Sequence, residues 1–323
     1  MFNPDQNRLA PTLAMIMAAS LVGFITGYTV PLISLELAQQ QIAPLYVGLL
    51  AALPPAGMMI SSLSALCRRV EMGVLLSGSL ILLALATIAS CMTTDMTLLL
   101  LPRLLTGLAS GVIIVLGESW ITGGAAGSQR ATLTGLYASA FTGCQLAGPL
   151  LISVGPAWQT SALIAIVAVT AVCLLMLRHL PTGTRESLGE RASWRSLGAF
   201  LPVLASGVFC FAFFDASILA LLPLYGMDKG LNEGLAVLLV TVVLTGDAMF
   251  QTPLGWLADR VGIRRVHLSC AVVFSLSLLA LPLMLGSRIQ LMAICLLLGA
   301  AARFIPCRWC GRENLQWAEA DYD

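Results

Sequence analysis

Apolar residues in this chain arrive in unbroken blocks of about 20, the length a helix needs to cross a hydrocarbon core of about 30 Å. Only helices and closed barrels satisfy their backbone groups in lipid. The blocks are continuous rather than alternating, so they specify an all-α, polytopic helical bundle. Hydrophobic residues make up 58% of the 323 positions and charged ones 10%. A soluble domain carries about 25% charged residues, and no water-soluble globule could hide this much apolar surface. Nine complete spans are expected at 11–34, 45–66, 73–92, 96–119, 132–153, 158–177, 199–225, 234–257 and 266–285, with a partial tenth from about Leu291. Prolines inside them, such as Pro31, Pro54, Pro149 and Pro253, are tolerated because neighbouring helices re-satisfy the freed carbonyls.

The charges then orient the bundle. With the N-terminus inside, eleven arginines fall in inner loops, whereas the outer loops hold only Lys229 and Arg288. The N-terminus is therefore expected in the cytoplasm of a bacterial inner membrane. A net charge of +1 with no dense basic patch argues against nucleic-acid binding. The nine cysteines are scattered and form no readable disulfide framework. Cys307-x-x-Cys310 lacks a second half, so no metal site follows from it. The first run, Pro11 to Ser34, is too long for a cleaved leader and is followed by further spans.

A polar interval from Arg178 to Ser196 separates two halves that read as repeats. Val-Pro31-Leu and Leu-Pro223-Leu lie 192 residues apart, and so do Gly107 and Gly299. Arg68-Arg69 and Asp259-Arg260 fill matching loops. A shared offset is the trace expected of paired transporter repeats. The expected organisation is a six-helix half at 1–178, a linker at 179–198 and a second half at 199–302, followed by a polar tail at 303–323.

Three motifs carry a resemblance. The loop Gly255-Trp-Leu-Ala-Asp259-Arg260-Val-Gly262-Ile-Arg264-Arg265 resembles the signature loop of the major facilitator superfamily of secondary transporters. In that family the loop works as a conformational latch. Physically, Asp259 can face the positive N-terminus of a neighbouring helix, and the arginines can face anionic headgroups. The competing reading is a plain positive-inside loop. Arg103-Leu-Leu-Thr-Gly107-Leu-Ala-Ser-Gly111 looks like the family's R-x-x-x-G element. A central intramembrane arginine costs at least about 2.5 kcal/mol, so Arg103 should face a cavity or a partner, unless it snorkels to the surface. Gly107 and Gly111 also make a small-xxx-small packing face. Gly135, Cys144 and Gly148-Pro149 resemble a glycine–proline motif of exchangers, with a cysteine at the middle glycine. A kinked, close-packed helix explains them equally well.

Three acids lie within apolar runs: Asp215, Asp247 and Glu118. Desolvation disfavours a charged carboxylate, so such groups can take up and release protons near neutral pH. Asp247 and Gln251 share one helical face. Each acid could instead be a structural partner of a serine, a helix end or Arg103. The resemblance implies a carrier of a small solute, coupled to protons, acting as a monomer in the bilayer. It does not name the solute, and it calls for no cofactor and no metal.

The last 21 residues hold seven charges, against 26 in the preceding 302. Leu291 to Ala302 makes only about 18 Å of helix, too short to cross a bilayer. The expectation is a frame-shift or truncation near residue 302 that leaves the second half incomplete. A genuine short form with a polar tail is the rival. A membrane hydrolase is disfavoured because His179 and His267, the two histidines, both sit at loop boundaries. A non-transporting membrane receptor or assembly protein stays open as the alternative to a transporter.

Overall fold

A computed structural model describes residues 6–63, 71–93, 95–124, 128–155, 158–178, 201–261, 263–283 and 288–302. These form ten α-helices: α1 (Gln6–Gln39), α2 (Pro44–Leu63), α3 (Met72–Met92), α4 (Met96–Gly124), α5 (Ser128–Val154), α6 (Gln159–Leu177), α7 (Leu201–Asp228), α8 (Glu233–Val261), α9 (Ile263–Ala280) and α10 (Arg288–Ala302). A 3₁₀ turn at Leu281–Leu283 follows α9. Each expected span has its helix, and no strand occurs among the described residues. Among the described residues, six helices carry stretches long and apolar enough to cross a membrane: α1, α2, α3, α4, α6 and α8.

Helix ends differ from the expected span ends. α1 runs five residues past Ser34, to Gln39, and α8 starts at Glu233 and runs on to Val261. Hydropathy marks only the part of a helix inside hydrocarbon. Intrahelical hydrogen bonds remain the cheapest way to satisfy the backbone beyond it, so the helix continues into the interface.

The chain divides into two compact units. One comprises residues 1–187 and 219–238, the other 188–218 and 239–323. In the first, α1 packs along α5 and also meets α6 and α4, while α2 and α3 both pack on α4. The core repeats at helical spacing: Ala14, Ala18, Leu21, Val22 and Ile25 of α1 meet Leu76, Leu80 and Leu83 of α3 and Ile113 and Leu116 of α4. Those spacings place each set on one helix face. The opposite faces carry exposed Val74, Leu85, Ile164 and Leu175, as lipid-facing surfaces do. Hydroxyls inside these helices donate to the carbonyl four residues back, as Thr87 does to Leu83 (2.7 Å) and Thr170 to Ile166 (2.7 Å).

The second unit holds a small core of Val266, Cys270 and Ala301, with Phe214 set edge-on to Phe274 at 5.0 Å. The repeat inferred from spacing reappears as helix contact. A Cβ on Gly107 would lie 2.7 Å from the carbonyl carbon of Pro54, so α4 rests its backbone on α2. A Cβ on Gly299 would lie 2.7 Å from the carbonyl carbon of Val243, so α10 rests on α8 in the same way. Glycine alone permits so close an approach.

Candidate functional site

Arg103 stands seven residues into α4 and is 2% exposed. One terminal amino group of its guanidinium donates to Thr29 Oγ1 at 2.9 Å, and that hydroxyl in turn donates to the Ile25 carbonyl at 2.8 Å. The Arg103 Nε is buried without a hydrogen-bond partner among the described residues. Its guanidinium makes no ion pair there either. Cys91 of α3 and Arg103 are electrostatic neighbours, and Cys91 is likewise a neighbour of Glu36. Arg103 therefore does not snorkel. It is held inside the first unit.

The other expected residues are distributed as follows. Asp247 is buried at 9% exposure in α8, one residue from Gly246, which meets α10. Asp215 is half-buried in α7. Glu118 is exposed on α4 and faces Tyr137 electrostatically, so it does not share the buried setting of Asp247. Trp120, two residues on, donates its indole N–H to Thr12 Oγ1 at 3.2 Å and ties the end of α4 to the start of α1. Gly107 and Gly111 face α2, where a Cβ on Gly111 would lie 2.8 Å from the Met58 Cα. Gly148 packs against the backbone of Gly27 and Tyr28, and Pro149 beside it is buried. A Cβ on Gly135 would meet nothing within 4 Å among the described residues, unlike those on Gly107, Gly111 and Gly148.

In the signature loop the helices α8 and α9 flank Gly262, and Arg260 and Arg265 are exposed. The side chains of Gln251, Asp259 and Arg264, the surroundings of Gly255, and Gly262 itself lie outside the described residues. So do residues 179–200, which contain the linker at 179–198, and the tail from 303 onward, including Cys307 and Cys310.

One cavity was not anticipated. It measures about 390 Å3 and lies entirely in the first unit, where α1 and α5 end and α6 and α8 begin. Tyr28, Leu32, Glu36 and Gln39 reach it from successive turns of α1, because residues three and four apart share a helix face. Leu151, Ile152 and Ser153 close it from α5, Trp158 and Gln159 from α6, and Glu233 from α8. Gly155, also in the wall, has φ +128°, a conformation only glycine adopts readily. Gln39 Nε2 donates to Glu233 Oε2 at 3.5 Å across the mouth. Glu36 escapes a hydropathy reading because it follows the apolar run. The signal that finds it is the spacing of 28, 32, 36 and 39 on one face.

The comparisons with known proteins now decide the family. The model of the Major Facilitator Superfamily matches residues 15–307. The chain belongs to the Major Facilitator Superfamily. It is 23% identical over 265 residues to the uncharacterized MFS-type transporter YfkF of Bacillus subtilis (strain 168), covering 79% of this chain and 67% of the relative. An uncharacterized MFS-type transporter of Yersinia pestis (strain Pestoides F) is 25% identical over 282 residues, covering 83% and 72%. Among solved structures, a D-xylose-proton symporter superposes with TM-score 0.68 at 16% identity, over 90% of this chain and 79% of that one. The nucleoside transporter NupG gives 0.69 at 13% identity, over 91% and 80%. These likenesses show the superfamily fold. The chain is an integral membrane protein of a transporter superfamily, and membrane transport is its functional class.

Proposed function

We propose that this superfamily member is a secondary active carrier of a small solute, driven by protons and working by alternating access. The observation that carries the reading is Arg103. A guanidinium 2% exposed, bonded to one threonine and without a described carboxylate partner, is expensive to keep in a membrane bundle. A purely structural role would be served better by an apolar side chain. A transport cycle explains it, because a proton-binding carboxylate or an anionic group of the cargo can meet that charge transiently.

In this reading Asp247 and Asp215 take up and release the proton, with Gln251 on the Asp247 face and Glu118 a lesser candidate. The segment Gly255–Arg265 latches the cytoplasmic side. Nine spans cross the membrane fully, the N-terminus lies in the cytoplasm of a bacterial inner membrane, and the monomer is the working unit.

The test uses the full chain in proteoliposomes holding a pH-sensitive dye. An imposed solute gradient should drive proton movement for at least one member of a panel of small solutes, and Arg103→Ala, Asp215→Asn and Asp247→Asn should each abolish it. Proton movement that survives all three changes would remove these residues from the mechanism, and its absence across the panel would remove the carrier reading.

A further inference from the structure

We propose that the cavity of about 390 Å3 between the ends of α1 and α5 and the starts of α6 and α8 binds a small organic cation, with an amine or quaternary ammonium head and an apolar body. The inference deepens the carrier reading, on which the cavity's role as an outer vestibule rests. Its chemistry stands on the walls alone.

Two carboxylates reach the cavity from elements far apart in the chain, Glu36 near the end of α1 and Glu233 in the first turn of α8. No lysine, arginine or histidine is found among the described residues that line it. The nearby Lys229 pairs with Asp228 and sits 5.8 Å over the Tyr225 ring, so its charge is already engaged. Glu36 is half-buried, and among the described residues its carboxylate has neither a hydrogen-bond nor an ion-pair partner. Glu233 accepts one long contact from Gln39 and stands in the first turn of α8. An unneutralised pair of this kind repels anions and attracts cations, more strongly than at an open surface because part of the site is withdrawn from water.

The remaining walls define the rest of the ligand. Leu32 and Leu35 are buried at 7% and 1% exposure and present hydrocarbon. Tyr28, 2% exposed, is braced by Phe24 with ring centroids 5.8 Å apart and nearly coplanar faces. Trp158 stands 49% exposed at the rim. Aromatic faces beside carboxylates suit an ammonium head, through cation–π attraction added to charge pairing. The cavity holds about 13 water volumes at about 30 Å3 each, which suits a ligand of roughly a dozen non-hydrogen atoms. Its size and mixture of apolar wall and few polar groups are those of a small-molecule site.

The experiment measures binding of benzyltrimethylammonium to the purified full chain in detergent by calorimetry. This probe carries a charge at every pH. Sodium benzoate and benzyl alcohol serve as its anionic and neutral counterparts. The cation should bind saturably at one site, and the counterparts should not. Glu36→Gln and Glu233→Gln should each weaken binding by at least about tenfold. Glu36→Asp should retain most of it. Glu71→Gln removes an exposed charge away from the cavity and should leave binding unchanged. Glu233 is exposed, so its variant keeps the test decisive if Glu36→Gln fails to fold. Failure of the cation to bind, equal binding of benzoate or benzyl alcohol, or unchanged binding in both glutamine variants would overturn the proposal. Because the readout is binding, the two readings fail separately. Solute-driven proton flux without cation binding removes the site, and cation binding without flux in any panel solute removes the carrier.

Discussion

Replacing Arg103 by methionine should make the protein more stable while stopping transport. An arginine in the bilayer interior costs about 2.5–3.5 kcal/mol on insertion scales. Its one described hydrogen bond, to Thr29 at 2.9 Å, returns about 1.5 kcal/mol, the lower end for a charged donor. The Nε, buried without a described partner, returns nothing. Methionine is unbranched and flexible, fills most of the volume although it is shorter, and leaves no donor to satisfy. Thr29 keeps its own bond to the Ile25 carbonyl, so it loses an incoming donor and strands none. The net gain should be about 1–2 kcal/mol, within the range seen when buried charges are replaced by apolar groups. Thermal unfolding in detergent, followed by tryptophan fluorescence, should show a midpoint raised by several degrees. Proton flux in proteoliposomes should be lost. Thr29→Val applies the opposite stress, because it removes the guanidinium's described acceptor, and should cost about 1–3 kcal/mol. In the Arg103→Met background the same valine should be nearly silent. An Arg103→Met protein less stable than the parent would refute the reasoning and show that the arginine pays for itself structurally.

Further predictions test the packing. Gly107→Leu should cost about 1–3 kcal/mol or more by overpacking, since even a Cβ there would lie 2.7 Å from the Pro54 carbonyl carbon. Gly299→Leu should cost a similar amount against Val243, and equal losses of thermal midpoint would verify that the two contacts are repeats of one another. Trp120→Phe removes the indole donor to Thr12 and should cost about 1 kcal/mol, with a double-mutant cycle against Thr12→Val returning a coupling of that order.

How far the fold could be read in advance follows from which forces act locally. The existence of ten helices was legible because lipid forces every run of about 20 apolar residues into a self-satisfied helix, whatever its neighbours. The pairing of Gly107 with Gly299 was legible as an offset, and its meaning needed the structure, which shows both lying against the second helix of their own repeat. The burial of Arg103 could be argued from cost but not decided, because a snorkelling arginine has the same sequence, and Thr29 lies 74 residues away. Asp247 and Glu118 are both acids in apolar runs, and only the neighbouring Trp120 sets Glu118 closer to the interface. One sits at a helix contact and is 9% exposed, and the other is exposed beside Tyr137, a difference that periodicity cannot assign once both helix faces are apolar. The cavity was hidden for a different reason. Gln39 and Glu233 are 194 residues apart, and both sit just beyond the hydrocarbon run, where a hydropathy reading sees only loop. Acids in that border zone escape the cost that makes intramembrane charges conspicuous. They can therefore face a ligand without leaving any mark in the pattern of apolar residues, and only the meeting of helix ends reveals them.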